Sequence, residues 1–259
     1  MRLYKNKIYL RLVGGLGNQL YQFGFALYLM QRFGFDTIQL DTTNFHKYRE
    51  NWGFRLFDVL DESLVSEFVI IKGSALLSLR LPRLLSFLSL RYPCFGMYSD
   101  KNCNDVLGHS CSQNYIFLDG YFEQFSERAS YYELFAGLLR KDLNLHLPDN
   151  IVAVNVRGGE LARLGISNER DKILYSDMIC KIISKIDNPE LHLLSDDLPY
   201  ARKLLVDIDF EFIEHESDPL ANFSFIYSSK YKILSRSTFS KWAGFLSSKA
   251  SSSFYLEEF

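Results

Sequence analysis

The chain has 259 residues, 47% hydrophobic and 23% charged, the composition of a globular protein long enough for one large α/β domain or two smaller lobes. Its formal net charge of −2 offers no basic excess to release counterions from a nucleic acid, so any phosphate site has to be local. The four cysteines, Cys94, Cys103, Cys111 and Cys180, form no CxxC pair and have no histidine at finger-like spacing, which argues against zinc and against a disulfide scaffold, and for a reducing cytoplasm.

Taken in order, the chain opens as strand, tight loop, helix. Lys7 to Val13 reads as the strand and Gly14, Gly15, Leu16 and Gly17 as the loop. Asn18 is placed to cap a helix in which Leu20, Phe23, Ala26, Leu27 and Met30 recur at helical spacing and which Gly34 ends. The apolar run IYLRLV before the loop is too short for a signal peptide and is interrupted by Arg11. No apolar run approaches the ~20 residues of a membrane span. The expectation is a soluble, cytoplasmic protein. A second strand runs from Thr37 to Leu40. Residues 61–110 show the least regular pattern. Within them Ser74 to Tyr92 is apolar but carries Arg80, Arg83 and Arg91 around Pro82. That stretch reads either as two short helices broken at the proline or as a basic amphipathic patch for the inner face of the plasma membrane. Ile116 to Phe122 reads as a strand, Ser126 to Arg140 as a helix, and the Leu-Pro-Asp-Asn turn as a lobe boundary, giving lobes 1–145 and 146–259.

The second lobe alternates regularly. Strands at 151–157, 191–195, 210–214, 231–235 and 253–257 are separated by helices near 173–187, 198–206, 219–229 and 238–248. Apolar strands alternating with helices predict βαβ units and a doubly wound parallel sheet. Ligands of such sheets bind beyond the carboxyl ends of the strands, so those ends are where chemistry is to be sought.

The 151–157 strand ends in Asn155, Val156 and Arg157, followed by Gly158, Gly159 and Glu160. A planar, permanently charged guanidinium at the lip of a sheet can grip two phosphate oxygens; alternatively Arg157 pairs with Glu160 on the surface. The next strand ends in Ser195, with Asp196 and Asp197 beyond it, which either cap the following helix or accept from a ribose or base. The 231–235 strand runs into Arg236, Ser237, Thr238, Phe239 and Ser240, where hydroxyls and N–H groups opening a helix suit an anion; plain N-capping by Ser237 is the other reading. In the first lobe GGLGNQL has Gly15 and Gly17 as GxG, but Leu20 takes the place of a dinucleotide fingerprint's third glycine, and the GK[ST] of a P-loop is missing. His46, His109, His146, His192 and His215 form no evident triad and read as structural. No acidic pair is well placed for a metal, Asp196 with Asp197 being the nearest thing.

In this order the segments resemble the bacterial α-1,2-fucosyltransferase family. GGLGNQLYQFGFA (Gly14 to Ala26) is similar to its GGLGNQ entrance, and FLDGYFEQ (Phe117 to Gln124) to its YLDGYFQS segment. VNVRGGE stands where the family has HxRRGD, and SRSTFSKWAGFL (Ser235 to Leu246) where it has NSSFSWWGAWL. The resemblance implies two Rossmann-like lobes of the GT-B kind, GDP-fucose as donor, no required metal or other cofactor, and inversion at the anomeric carbon. It implies a phosphate role for Arg157 and, as its catalytic residue, stabilisation of the departing diphosphate. It assigns the phosphate and sugar segment to Ser237, Thr238, Phe239 and Ser240, and the loop facing the site to Gly15, Asn18 and Gln19. The family's His is Asn155 here, its second Arg is Gly158 and its Asp is Glu160, while Arg236 and Lys241 are new positive charges. Arg236 is therefore expected to replace the lost phosphate contact. The expected partners are a nucleotide sugar and a glycan or lipid-linked oligosaccharide, in surface polysaccharide or O-antigen synthesis. A transferase of another nucleotide sugar, and a non-catalytic sugar-nucleotide or glycan binder, stand as alternatives.

Overall fold

A computed structural model of the chain describes residues 6–47, 53–72, 95–108, 115–159, 169–216, 218–247 and 252–255. The stretch 74–92, with both of its readings, and Glu160 lie outside these residues. The chain divides into two compact units, 1–140 and 141–259. The division falls before position 145 because the chain from Leu143 onward is held by the second unit. Ser228 Oγ donates to Leu143 O at 3.1 Å and accepts from Leu145 N at 2.7 Å.

The first unit is built on a five-stranded parallel sheet in the order β3-β2-β1-β5-β4. The strands are β1 (Lys7–Arg11), β2 (Thr37–Asp41), β3 (Val69–Lys72), β4 (Phe95–Tyr98) and β5 (Tyr115–Leu118). Ile8 and Leu10 of β1 pair with Ile38 and Leu40 on one side and Ile116 and Leu118 on the other, and all six are buried. The helix Leu16–Phe33 packs over this row. It ends at Gly34, whose φ of 71° is the left-handed conformation that glycine adopts without a Cβ penalty. Its N-cap is Gly15, and no side chain caps it, so Asn18 lies within the first turn instead of capping it.

Two expectations for this unit change. Strands β3 and β4 lie inside the region whose pattern looked irregular, because four-residue strands give too few alternations to register. The helix expected to reach Arg140 is only Tyr131–Phe135, preceded by a 3₁₀ turn. Tertiary pairing ends it. Leu139 bridges Leu60, Asp61 N donates to Leu138 O at 2.8 Å, and Arg140 N donates to Val59 O at 3.0 Å. Those bonds take the backbone groups that a continuing helix would need.

The second unit follows the expected alternation. Its parallel sheet has the order β10-β9-β6-β7-β8, formed by β6 (Ile151–Val156), β7 (Glu190–Ser195), β8 (Phe212–Glu214), β9 (Tyr231–Leu234) and β10 (Ser252–Tyr255). All six residues of β6 are buried, as befits the central strand. Val152, Val154, Val156, Leu191, Leu193 and Ile233 form a core with Tyr175, Ile179 and Ile182 of the helix Glu169–Ile183. Strand order reverses between β6 and β9, which makes their carboxyl ends the topological switch point of a Rossmann-type sheet.

On the other face His192 Nδ1 lies 2.8 Å from His215 Nε2, and Phe225 packs on both rings. Burial lowers both pKa values below the ordinary 6.5; Glu190 opposes this at His192, and His192 adds to it at His215. The unfolded chain therefore binds more protons than the folded one below pH 6.5. Stability from this pair is complete above that pH and declines as pH falls through the lowered folded values. Denaturant unfolding at pH 7.5 and pH 5.5 should show the loss, and the His192→Gln/His215→Gln protein should show a shallower pH slope.

Candidate functional site

At the switch point β6 and β9 are paired in register, Val152 to Val154 opposite Tyr231 to Ile233. Arg157 and Arg236 each follow three residues after the last of these pairs. The two guanidiniums thus leave neighbouring strands at the same end of the sheet. Arg157 Nη1 contacts Asp196 Oδ2 at 2.5 Å, and the other oxygen of Asp196 accepts from Gly158 N at 2.9 Å. Arg236 Nη2 donates to Asp171 Oδ1 at 3.0 Å, while its buried Nε has no partner among the described residues. Each arginine is aimed by one carboxylate through one nitrogen, and a guanidinium carries five N–H donors. Both sit partly open to solvent, at 33% and 27% side-chain exposure, which leaves donors accessible to an anion.

Beneath the arginines a closed hydroxyl network ties the strands to the helix Thr238–Phe245. Asn155 is buried; its amide donates to Leu194 O at 3.2 Å, and its oxygen accepts from Ser235 Oγ at 2.8 Å and from Ser240 Oγ. Ser237 Oγ lies 2.7 Å from Ser240 Oγ and 3.1 Å from Ser235 Oγ, and accepts from Ser240 N at 3.1 Å, capping the helix. The side chains of Asn155, Ser237 and Ser240 are thus engaged with the protein itself. What they offer a ligand is a fixed helix N-terminus, capped by Ser237. Phe239 sets its ring edge-on to Phe223, with centroids 5.6 Å apart.

Asp197 caps the helix Leu198–Leu204 by accepting from Tyr200 N at 3.1 Å, so of its two readings the structure shows the cap, while Asp196 is the partner of Arg157. Gly158 lies hard against this loop. A Cβ there would meet Asp197 Cβ at 2.6 Å and Tyr200 Cδ1 at 3.0 Å. Burial first, then the charges of Asp171 and Asp197, raise the Tyr200 phenol above its usual pKa. Asp171 and Tyr200 were not singled out in the sequence. Asp171 lies in the first turn of the helix Glu169–Ile183, and nothing in the spacing links it to Arg236.

In the first unit, Gly14 has φ of 79° and a Cβ on it would lie 2.7 Å from Asn18 Nδ2, whereas Gly15 has open space where a Cβ would be. Gln19 is wholly buried. Its amide nitrogen donates to Gly14 O and Gly53 O, each at 2.9 Å, and its oxygen accepts from Arg55 N at 3.0 Å. Gln19 therefore braces the glycine loop, and its polar atoms are used by backbone. Gln19→Ala should cost about 2–4 kcal/mol by orphaning buried groups, seen as a lower urea midpoint at unchanged slope.

Two parallel-sheet α/β units in one chain are the architecture of the GT-B fold. Solved fucosyltransferases share it. NodZ from Bradyrhizobium matches at a TM-score of 0.58 and 14% identity, covering 93% of this chain and 92% of that one. POFUT1, solved in complex with GDP, matches at 0.58 and 12% identity over 100% of both chains. In sequence the chain is similar to an α-1,2-colitosyltransferase of Escherichia coli, 26% identical over 262 residues, spanning 91% of this chain and 86% of that protein. No family model matches. The resemblance read from the motifs agrees with these matches: the relative in sequence is an α-1,2-colitosyltransferase, and the solved structures that share the fold are fucosyltransferases. Among the described residues no helix is long and apolar enough to cross a membrane.

Proposed function

We propose that the protein is an inverting glycosyltransferase that moves fucose from GDP-fucose to the 2-hydroxyl of an acceptor sugar, in α linkage, during surface polysaccharide or O-antigen synthesis. The acceptor hydroxyl attacks the anomeric carbon and gives up its proton to solvent, the bond from that carbon to the β-phosphate oxygen breaks, and GDP leaves carrying the electron pair. The difficulty is the negative charge that grows on the diphosphate. Arg157, Arg236 and the N-terminus of Thr238–Phe245 oppose it by preorganised electrostatics, with no metal in the scheme. The observation that carries the reading is the pair of carboxylate-aimed arginines on neighbouring strands at the switch point, beside a capped helix N-terminus. An acceptor borne on a lipid would bring the enzyme to the cytoplasmic face of the membrane.

Colitose as the transferred sugar is the second reading, favoured by the name of the E. coli relative. Thermal shift with GDP, UDP, NAD and GDP-fucose tests the donor, because a ligand that binds only the native state raises Tm. A shift with GDP and GDP-fucose, followed by transfer to a glycan, supports the proposal. A shift with UDP or NAD and none with GDP overturns it. Binding of GDP-fucose without transfer or hydrolysis would instead mark a non-catalytic binder.

A further inference from the structure

The two arginines of the switch point stand beyond the place where their strands are paired. The pairing of β6 with β9 ends at Val154 opposite Ile233, short of both Arg157 and Arg236. On its other side β6 stays paired with β7 as far as Val156 opposite Ser195. The backbone ladder therefore fixes where Arg157 leaves the sheet. It does not fix how far Arg236 stands from it.

One buried side chain closes that gap. Val154 and Val156 turn into the core against the helix Glu169–Ile183, so the alternation of a strand sends Asn155 to the opposite face. There Leu194 O accepts from the Asn155 amide nitrogen at 3.2 Å, which leaves the amide oxygen toward the serines. Ser235, the residue before Arg236, donates to that oxygen at 2.8 Å, and Ser240 of the helix Thr238–Phe245 donates to it as well. An amide oxygen carries no hydrogen, so both contacts use serine hydrogens and both hydroxyls are turned toward Asn155. The backbone of the same residue is held from the other face. Tyr175 donates its phenolic hydrogen to Asn155 O at 2.7 Å. Tyr175 lies one helical turn after Asp171, the carboxylate that holds Arg236.

These bonds close a circuit. It runs from Asn155 to Ser235, along the chain to Arg236, across to Asp171, one turn on to Tyr175 and back to Asn155. Arg157 leaves the circuit two residues after Asn155. Asn155, Tyr175, Ser235 and Ser240 are all buried, so water does not compete for these bonds.

We infer that Asn155 is a positioning residue of the proposed transfer, setting the separation of Arg157 and Arg236 so that both guanidiniums meet the two phosphates of one nucleoside diphosphate; this assignment rests on that reading. Asn155 acts through the arginines and touches no ligand itself. Displacing a contact group by about 1 Å can cost on the order of 10²-fold in rate, so a small change in the strap is felt at the phosphates. A nucleotide with a single phosphate needs only one of the two arginines. Their spacing therefore matters for GDP and not for GMP.

The test uses Asn155→Ala and Ser235→Ala in the full chain. Ser235→Ala cuts one bond and leaves the buried amide in place, so it carries the test if Asn155→Ala does not fold. Calorimetry measures GDP and GMP. Each variant should bind GDP about tenfold more weakly than the wild type and GMP within about twofold of it. In an Arg236→Ala background Ser235→Ala should cost no further GDP affinity, because the contact it positions is gone. A residue needed for stability alone would lower Tm and leave the ratio of GDP to GMP affinity as in the wild type. An unchanged ratio, or losses that add fully to that of Arg236→Ala, overturns the inference and leaves the transferase reading standing. Absence of GDP binding by the wild type overturns both.

Discussion

Alanine at position 157 should lower kcat about 10²–10³-fold, the loss typical of removing one preorganised donor from a developing oxyanion. The guanidinium is fixed before any ligand arrives, since Asp196 holds Arg157 Nη1 at 2.5 Å and is itself held by Gly158 N. Charge placed in this way requires little reorganisation when the diphosphate departs, so its removal acts on kcat more than on KM. Arg157→Lys should recover little, because an ammonium reaching Asp196 becomes a point charge without the remaining donors of the fork. Arg236→Ala should weaken GDP binding by a comparable factor, since its guanidinium is set in the same way by Asp171. Initial rates with GDP-fucose and calorimetry with GDP separate these effects. A kcat for Arg157→Ala within threefold of the wild type would remove the electrostatic mechanism.

The two units differ in how plainly their sequences declare their elements, for physical reasons. In the second unit each strand is a short apolar run bounded by a helix of helical period, and every expected element is present within a few residues. The switch-point residues were legible for the same reason, since Arg157 and Arg236 stand directly after apolar strands. Their partners were not. Asp171 reaches Arg236 from 65 positions away and Asp196 reaches Arg157 from 39, distances at which no periodicity speaks. Nor does a motif tell whether a conspicuous side chain faces a ligand or the protein. Gln19 and Asn155 stand in matched segments, and both are used by the protein's own backbone and hydroxyls. Asp119 lay inside the matched FLDGYFEQ segment without a role, because its pairing with Arg11 depends on β1 and β5 being neighbours.

The glycine at position 158, where the resembled family carries a second arginine, should prove irreplaceable in this chain. A Cβ there would lie 2.6 Å from Asp197 Cβ, a distance that real Cβ atoms essentially never show, and Asp197 Cβ is rooted on the backbone and cannot swing aside. Relief requires moving Asp197, which caps Leu198–Leu204, or Tyr200, whose ring stands 3.0 Å away. Lost capping and overpacking together make Gly158→Ala about 2–4 kcal/mol less stable, measured by urea unfolding. Gly159 tightens the constraint, with φ of 34° and Asp196 Oδ2 2.5 Å from where its Cβ would be. Gly15→Ala is the contrasting case, with φ of −73° and nothing within 4 Å of the new atom, and its stability should stay close to that of the wild type. Gly158→Arg would restore the family's positive charge, yet it should unfold the loop that aims Arg157 and lower GDP affinity. A folded Gly158→Arg protein that binds GDP more tightly would show that the site is one arginine short; the packing of Asp197 and Tyr200 against Gly158 says instead that this chain has closed that position.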